Sequence, residues 1–157
     1  MKVSIQDFQN KETGYTQEHD IDGMHIEIMR IEEGVNVFVQ NIEAKVDAQC
    51  DKCLKKYKHH VRVSEAERIF YFKKPPHYDM EADQADIFMA DMKHQEIDLT
   101  EMLRQEILLH FPTSQVCSKS CKGLCLKCGA DLNERTCGCD TSDTSQKLLS
   151  GLRDLIR

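Results

Sequence analysis

Eight cysteines, arranged as closely spaced pairs, are the feature that most constrains how this chain can fold. Six of them lie in residues 117–139, and the other two form a separate C-x-x-C at Cys50 and Cys53. Cysteines two or three residues apart can direct both sulfurs at one tetrahedral metal ion, and Gly or Lys suits the turn between them. Because large apolar side chains are few at the cysteine-rich end, a metal is predicted to replace a hydrophobic core there.

The spacing divides the thiols most simply into two sets of four, of which the later one reads C-x2-C-x8-C-x-C. A set of four sulfurs leaves no position for a water molecule, which is typical of structural rather than catalytic zinc. We therefore predict one or two structural zinc ions, with iron–sulfur as the alternative. Cys121 and Cys125 are close enough in sequence to exchange roles between the sets. The predicted ligands are Cys50, Cys53, Cys117, Cys121, Cys125, Cys128, Cys137 and Cys139.

The bulk composition limits the class of protein. The chain has 157 residues, of which 40% are hydrophobic and 31% charged, and it contains no Trp. This length predicts one compact unit, divided at most into a β-rich body with its helix (residues 1–112) and a cysteine-rich segment with a final helix (residues 113–157). The absence of an apolar leader and of about 20 consecutive apolar residues predicts a cytoplasmic protein without a membrane span. Metal is favoured over disulfides, which would require an exported protein.

Alternating apolar residues predict strands in the first half of the chain. The series cover residues 3–5, 24–28, 35–48 and 57–72, with a turn at 32–34. Unpatterned segments are predicted as loops at residues 11–20 and 77–96, except for a short edge strand at 87–89. One series slips by one residue between Val39 and Ile42, which indicates a β-bulge. That series leads to Cys50, so the first cysteine pair is predicted at the tip of a long hairpin.

Helical periodicity begins after the strands. Residues 98–101, Asp-Leu-Thr-Glu, have the form of a capping box with Asp in place of Ser or Thr. Apolar residues at helical spacing follow and Pro112 ends the element, which predicts a helix of about 12 residues with Glu106 at the edge of its apolar face or, as the less favoured alternative, buried. A last amphipathic helix is predicted over residues 148–156. The predicted fold class is α+β: an antiparallel β-rich body with one packed helix, a cysteine-rich zinc-knuckle segment and a C-terminal helix.

The charge distribution points to a partner more clearly than the net charge of −6. Residues 52–62 contain five Lys or Arg and no acid, whereas residues 79–106 contain nine acids and only two bases. Basic residues beside a metal knuckle are a common way to hold phosphates. We predict that RNA is bound by Lys52, Lys55, Lys56, Lys58 and Arg62. The acidic loop of residues 79–96 is predicted to be a solubilising loop; alternatively, this loop or the last helix contacts a basic partner such as a ribosomal protein.

Signals of catalysis are absent from the sequence. It contains no Gly-rich phosphate loop, no H-E-x-x-H and no G-x-S-x-G, so no enzyme activity and no small-molecule substrate are predicted. The adjacent His59 and His60 are interpreted as part of a solvated basic strand. A dithiol redox role for Cys50 and Cys53 is a further alternative, which the absence of a predicted helix after this pair disfavours.

Several of these motifs together resemble one known family. The run Cys121-Lys-Gly-Leu-Cys125-Leu-Lys-Cys128-Gly-Ala-Asp-Leu-Asn133, followed by Cys137-Gly-Cys139 and preceded by Phe111-Pro112, is similar to the YceD family of bacteria and plastids, the large ribosomal RNA subunit accumulation proteins. The upstream Cys50-Asp-Lys-Cys53-Leu matches the first cysteine knuckle of that family. The resemblance implies a role in the accumulation of 23S ribosomal RNA. It implies binding of that RNA or its precursor, or of a ribosomal or assembly protein, during assembly of the large subunit.

Overall fold

The computed structural model describes residues 1–6, 8–75 and 87–139. Within these ranges the chain forms seven strands, one short 3-10 helix (Phe8–Asn10) and one α-helix. The strands are β1 (Lys2–Ser4), β2 (Thr16–Ile21), β3 (Met24–Ile31), β4 (Gly34–Gln49), β5 (Lys56–Tyr71), β6 (Phe88–Met89) and β7 (Glu96–Asp98). The α-helix, α1, is Thr100–Leu109. The predicted C-terminal helix lies outside the described residues. No described helix has the length and apolar character needed to span a membrane.

Five strands form one sheet in the order β2-β3-β4-β5-β6. β2 and β3 pair antiparallel, as do β3 and β4, whereas β5 and β6 pair in parallel. Two ion pairs give the direction of β4 against β5, because Asp47 lies beside Lys58 while Glu43 lies beside Arg62. A step of four residues forward on one strand is a step of four back on the other, so this pair is antiparallel. The predicted long hairpin is confirmed, and so is the short edge strand at residues 88–89.

The slip in the apolar pattern of β4 corresponds to a break in its conformation at Asn41. This residue is exposed and has a φ of 58°, a left-handed value that Asn tolerates better than most residues. Val39 and Ile42 on either side of it are both buried, so the side chains of β4 keep facing the core although their alternation shifts. The predicted phase slip is therefore confirmed, and the chain uses it to keep one face of a 16-residue strand apolar.

Two polar segments that were predicted as loops form strands. Residues 11–20 were expected to be a loop, but β2 pairs with β3 along its whole length. The side chains of β2 are half-buried or exposed and show no apolar alternation. The strand is ordered by its backbone pairing with β3. The turn that precedes β3, Asp22-Gly23, has φ values of 53° and 83° and is typical of a tight hairpin. β7 begins at Glu96, the last residue of the other predicted loop, and pairs with β1 in a two-stranded sheet. Of that loop, residues 77–86 lie outside the described residues.

Helix α1 begins later and contains different contacts from those predicted. Oδ1 of Asp98 accepts the backbone N–H of Thr100, the first residue of the helix, at 2.9 Å, whereas Leu99 between them makes no side-chain cap. The Asp98 half of the predicted capping box is therefore present, but Glu101 binds Arg104 rather than reaching back to Asp98, so the reciprocal half does not form. Glu106 is also not at the edge of the apolar face. It is buried, and its Oε1 lies 2.6 Å from Nη2 of Arg68, which makes burial of the carboxylate tolerable.

The chain separates into two compact units. Unit 1 comprises Met1–Val46 and His60–Phe111, and unit 2 comprises Asp47–His59 and Pro112–Arg157. The hydrophobic core lies in unit 1 and is made mainly of branched aliphatic and aromatic side chains. Its fully buried large residues include Phe8, Ile26, Ile28, Val35, Val37, Val39, Ile42, Phe70, Ile97, Leu99 and Met102. All eight cysteines belong to unit 2.

Candidate metal centres

The eight cysteine sulfurs gather into two groups of four. The first cysteine cluster consists of Cys50, Cys53, Cys117 and Cys121. The second cysteine cluster consists of Cys125, Cys128, Cys137 and Cys139. Within each cluster the four Sγ atoms lie within 4.8 Å of one another. This grouping coincides with the simplest division of the sequence spacing, although Cys121 and Cys125 are separated by only three residues.

The sulfur spacing of the first cluster fits a tetrahedral ion. Sγ of Cys50 lies 3.8 Å from Sγ of Cys121, and Sγ of Cys53 lies 3.7 Å from Sγ of Cys117. A tetrahedron with metal–sulfur bonds of about 2.3 Å has edges of about 3.8 Å, as expected for zinc bound by four thiolates. Four cysteine thiolates can also hold an iron–sulfur centre, but this spacing is less specific evidence for such a centre than for a single tetrahedral ion. The donor set and its dimensions therefore fit a thiophilic metal ion.

The first cluster is assembled from the tip of the β4–β5 hairpin and from the chain after α1. At the tip, Cys50 donates its N–H to the carbonyl of Lys55 at 2.9 Å, and Leu54 donates to the carbonyl of Cys50 at 2.8 Å. Asp51 joins the two segments, because its N–H donates to the carbonyl of Gln115 at 2.7 Å and its carboxylate accepts the N–H of Gln115 at 2.6 Å. These contacts hold Cys117 and Cys121 beside the hairpin tip.

The second cluster begins with a tight turn. Gly129 has a φ of 70°, a conformation that other residues adopt with strain, and its N–H donates to the carbonyl of Cys125 at 2.8 Å. Cys125 in turn donates its N–H to the carbonyl of Ala130 at 2.8 Å. The glycine that follows the C-x-x-C pair thus lets the chain reverse, which brings the sulfurs of Cys125 and Cys128 to the same side.

Within each cluster the surroundings favour the thiolate of one cysteine and disfavour the thiolate of another. Burial acts to raise the pKa of Cys50, but backbone N–H groups, that of Cys117 foremost, outweigh it and lower this pKa to about 6. The N–H of Cys128 is the main cause that lowers the pKa of Cys125 to about 6. In contrast, burial and neighbouring sulfurs raise the pKa of Cys117 to about 12, and the sulfur of Cys128 raises that of Cys139 to about 12. Four thiolates in one cluster therefore require a cation that compensates their charge.

Lys55, one of the predicted RNA-binding residues, is held by carboxylates of the second cluster's loop. Its Nζ lies 3.0 Å from Oδ2 of Asp131 and 2.7 Å from Oε1 of Glu134. These two carboxylates, with Glu134 the larger influence, raise the pKa of Lys55 above its usual value. Asp131 is the more buried partner, with 14% of its side chain exposed. The side chain of Lys55 is thus engaged inside unit 2.

Two other predicted RNA-binding residues face carboxylates across the hairpin. Nζ of Lys58 lies 2.6 Å from Oδ1 of Asp47, and Nε of Arg62 lies 3.1 Å from Oε1 of Glu43. All four side chains are more than half exposed, so these ion pairs are open to competition from salt or phosphate. The basic strand that the sequence indicated is thus matched by acids on β4, a pairing that linear sequence does not reveal.

The remaining predicted lysines stay unpaired among the residues that the structure describes. Lys52 and Lys56 are exposed and form no ion pair with any described carboxylate. The same holds for three exposed lysines around the cysteines of the later segment, which are Lys119, Lys122 and Lys127. Lys52 lies next to that segment, because its carbonyl accepts the N–H of Leu124 at 2.9 Å. Unpaired positive charge therefore lies beside both clusters.

Sequence reasoning missed the role of Asn133, which contacts a cysteine of the other cluster. Its Nδ2 lies 3.5 Å from Sγ of Cys121 and 2.7 Å from Oδ1 of Asp131. Its Oδ1 accepts the backbone N–H of Lys122 at 2.8 Å. The Asp-Leu-Asn run was visible in the sequence as part of the family resemblance, but no spacing rule connects it with Cys121.

A third group of potential metal ligands is explained by local structure. Asp91, His94 and Glu96 each offer a ligand atom within 4.8 Å of the others, and none of them is buried. Oδ1 of Asp91 accepts the N–H groups of Lys93 and His94, and its Oδ2 contacts the ring of His94 at 2.7 Å. Glu96 binds Lys2. These contacts form the turn before β7 and do not require an ion.

Comparisons with known proteins agree with the motifs. The protein-family profile described as "Large ribosomal RNA subunit accumulation protein YceD" matches residues 39–156, about three quarters of the chain. The chloroplastic large ribosomal RNA subunit accumulation protein YCED homolog 1 of Arabidopsis thaliana is 39% identical over 64 residues, which are 40% of this chain and 20% of that protein. The protein of the same name from Zea mays is 37% identical over 83 residues, which are 50% of this chain and 28% of that protein.

The chain thus spans a fifth to just over a quarter of the length of these curated relatives. No solved structure shows a significant match. The matched residues include both cysteine clusters and most of the β4–β5 hairpin that carries the first cysteine pair. On the extent of the profile match, this chain belongs to the YceD family of large ribosomal RNA subunit accumulation proteins.

Proposed function

We propose that this protein is a non-enzymatic ribosome-biogenesis factor that supports accumulation of 23S ribosomal RNA by binding that RNA, or its precursor, through unit 2. The family assignment supports the role in large-subunit RNA accumulation. The observation that carries the RNA-binding part is the charge difference between the units. Among described residues, unit 2 has eight Lys or Arg against four Asp or Glu, whereas unit 1 has ten against fifteen. Phosphate binding depends on such local positive charge rather than on the net charge of the chain.

The contacts of the basic residues suggest which of them bind phosphates and which stabilise the protein. Lys52 and Lys56 carry no described ion pair, and we propose that they contact phosphates together with Lys119, Lys122 and Lys127. Lys58 and Arg62 are predicted to contribute less, because each must first exchange a carboxylate for a phosphate. Lys55 is predicted to stabilise unit 2 rather than to bind RNA, because Asp131 and Glu134 hold it.

Structural zinc in both clusters is the second part of the proposal. Among described residues of unit 2, the buried ones are Ala48, Gly123, Ala130 and four of the cysteines, so the unit lacks large buried side chains. A metal ion bound by four sulfurs would supply the stabilisation that a core supplies elsewhere. Zinc suits this task because it is redox-inert and favours four thiolates in a tetrahedron. The ligands would be Cys50, Cys53, Cys117, Cys121, Cys125, Cys128, Cys137 and Cys139.

The RNA-binding proposal is tested by measuring the salt dependence of binding to fragments of 23S ribosomal RNA. Replacing Lys52, Lys56 and Lys122 by Ala is expected to weaken binding and to reduce the slope of log K against log salt by up to about 2, because each lost phosphate contact removes about 0.7. The matched control replaces three exposed lysines of unit 1, Lys11, Lys73 and Lys93, and removes the same charge. Equal losses for the two triple variants would show that the binding is not local to unit 2.

A protein partner is the second candidate function, and a feature of unit 1 favours it. Leu108 and Leu109 at the end of α1 are 50% and 72% exposed, on the unit in which acids outnumber bases. An acidic surface with exposed apolar side chains suits a basic ribosomal or assembly protein. Replacing both leucines by Ser is expected to abolish co-purification with such a protein and to leave RNA binding unchanged.

The cytoplasmic location stays a prediction, since the curated relatives are named as chloroplastic.

A further inference from the structure

We infer that Asn133 couples the two cysteine clusters, so that a metal ion bound in one raises the affinity of the other. This inference rests on the proposed metal binding. Asn133 lies in the loop between Cys128 and Cys137, and both of these cysteines belong to the second cluster. The side chain of Asn133 nevertheless contacts Cys121, a ligand of the first cluster. One residue of the second cluster's loop thus reaches a sulfur that the other ion would bind.

The side-chain amide of Asn133 is fully used by these contacts. Its two N–H hydrogens have two acceptors, Sγ of Cys121 at 3.5 Å and Oδ1 of Asp131 at 2.7 Å. Its oxygen accepts the N–H of Lys122, the residue that directly follows Cys121, at 2.8 Å. Asn133 therefore fixes both the sulfur and the adjacent backbone of the same first-cluster ligand. Neither Ala nor a longer amide would reproduce this arrangement.

A second set of contacts ties the same loop to the hairpin tip. Asp131 and Glu134, which flank Asn133 in the loop, bind Lys55, two residues after Cys53. The linker between Cys121 and Cys125 also lies close to the hairpin tip. A Cβ added to Gly123 in this linker would lie 2.9 Å from the carbonyl oxygen of Lys52. Gly123 also accepts the N–H of Leu132 at 2.9 Å. The loop of the second cluster is thus held against both chain segments that supply the first.

These contacts predict a thermodynamic coupling. Hydrogen bonds to thiolate ligands orient the sulfur and stabilise its negative charge, and the loss of such an outer partner commonly lowers metal affinity 10- to 100-fold. The loop that carries Asn133 runs from Cys128 to Cys137. An ion bound by these two cysteines therefore orders the side-chain amide of Asn133, the hydrogen-bond donor to Cys121, before the first cluster binds its own ion. Linkage requires the reverse effect to be equally large.

The coupling is tested by zinc competition against a chromophoric chelator on the full chain, with one cluster disabled at a time. Cys137→Ser with Cys139→Ser leaves only the first cluster, whose zinc affinity is expected to fall about 10- to 100-fold. Asn133→Ala is expected to lower that affinity similarly when both clusters are intact. Combining the changes should add little more, because both remove the same contact. The matched control is Asn36→Ala, which removes another side-chain amide bound to a carboxylate and should leave both affinities unchanged.

Two further readouts distinguish coupling from general loss of structure. Disabling the first cluster by Cys53→Ser with Cys117→Ser should weaken the second by the same factor. In the cobalt-loaded protein, Asn133→Ala should shift the sulfur-to-cobalt charge-transfer band of the first cluster and leave that of the second in place. Unequal or absent reciprocal effects, or fully multiplicative losses in the combined variant, would overturn the coupling alone. Absence of metal uptake by either cluster would overturn the proposed metal sites as well.

Discussion

Unit 1 and unit 2 bury different kinds of side chain and are stabilised by different chemistry. Unit 1 encloses aliphatic and aromatic residues between strands and helix, and acids outnumber bases in it. Unit 2 buries sulfurs, two alanines and one glycine among its described residues, and bases outnumber acids. Burial of apolar area can stabilise the first unit without any ligand, whereas we propose that metal ions bound by four thiolates each stabilise the second.

If unit 2 binds RNA as proposed, the hydrophobic core and the RNA-binding surface belong to different parts of one short chain. A unit without a large core can keep most of its surface polar, and unit 2 carries exposed lysines such as Lys52 and Lys56 that form no ion pair with a described carboxylate. A unit with a core must devote one face of each strand to burial, as β4 does on both sides of Asn41. The predictions that follow are ways to separate the two units by experiment.

Removal of metal is expected to have the largest effect and to act on unit 2 alone. Structural zinc contributes about 10–16 kcal/mol in zinc-finger peptides at neutral pH, which is comparable with the whole stability of about 5–15 kcal/mol that is usual for a domain. A strong chelator should therefore abolish hydrogen-exchange protection at the amides of Cys50 and Cys125 while the amides of Ile26 and Val37 stay protected. Retained protection in unit 2 without metal would show that the sulfurs are not needed for its order, and would move the dithiol redox alternative forward.

Truncation of the core is the reverse experiment, and its effect is expected to be smaller. Phe70 is 1% exposed and its ring lies 5.3 Å from that of Phe88. Phe70→Ala should lower the free energy of unfolding of unit 1 by about 3–5 kcal/mol, because a large cavity replaces the ring. Zinc stoichiometry should stay unchanged. Loss of bound zinc in this variant would contradict the separation of the two kinds of stabilisation.

The ion pair between Glu106 and Arg68 is a polar exception inside the apolar unit. Arg68→Met would leave a buried carboxylate without its partner. We expect a loss of about 1–2 kcal/mol, less than for a fully buried pair because 35% of the arginine side chain is exposed. Chemical denaturation measures this loss. The double variant Glu106→Leu with Arg68→Met should be more stable than the sum of the single losses predicts, and simple additivity would show that the pair is not coupled.

Unit 1 was largely predictable from sequence because its strands are read from apolar alternation. The β4–β5 hairpin and even the slip at Asn41 follow from which residues are apolar. β2 was missed because a polar strand at the edge of a sheet is ordered by backbone hydrogen bonds, which any sequence can make. Glu106 was misplaced because its partner comes from β5, far away in sequence, and helical periodicity contains no information about that contact.

For unit 2, cysteine spacing predicted which sulfurs lie together, because short loops between ligands limit the geometries available. The surroundings of the sulfurs were not predictable in this way. Asn133 contacts Cys121 only because the loop of the second cluster meets the linker before it, and Lys55 changes from a candidate RNA contact to an internal ion pair for the same reason. Contacts between loops depend on the assembled structure, so local pattern identified the ligands but not what orients them.

Acidification should lower the free energy of unfolding of unit 1 by a smaller and gradual amount, which is a further way to distinguish the two units. The side chain and N–H of Thr100 lower the pKa of Asp98 to about 2, from a usual value of 3.8. Because the pKa is lower in the folded state, this carboxylate stabilises unit 1 above pH 3.8, and its contribution is lost as the pH falls from about 4 to about 2. The carboxylate is half exposed, so we expect a contribution of about 1 kcal/mol to the free energy of unfolding.

Asp98→Asn should remove that part of the pH dependence, as measured by urea denaturation of unit 1 at a series of pH values. Metal-bound thiolates are protonated at a higher pH, so loss of metal from unit 2 should precede this step. A steep pH dependence between 4 and 2 that is unchanged in Asp98→Asn would assign it to other carboxylates of unit 1.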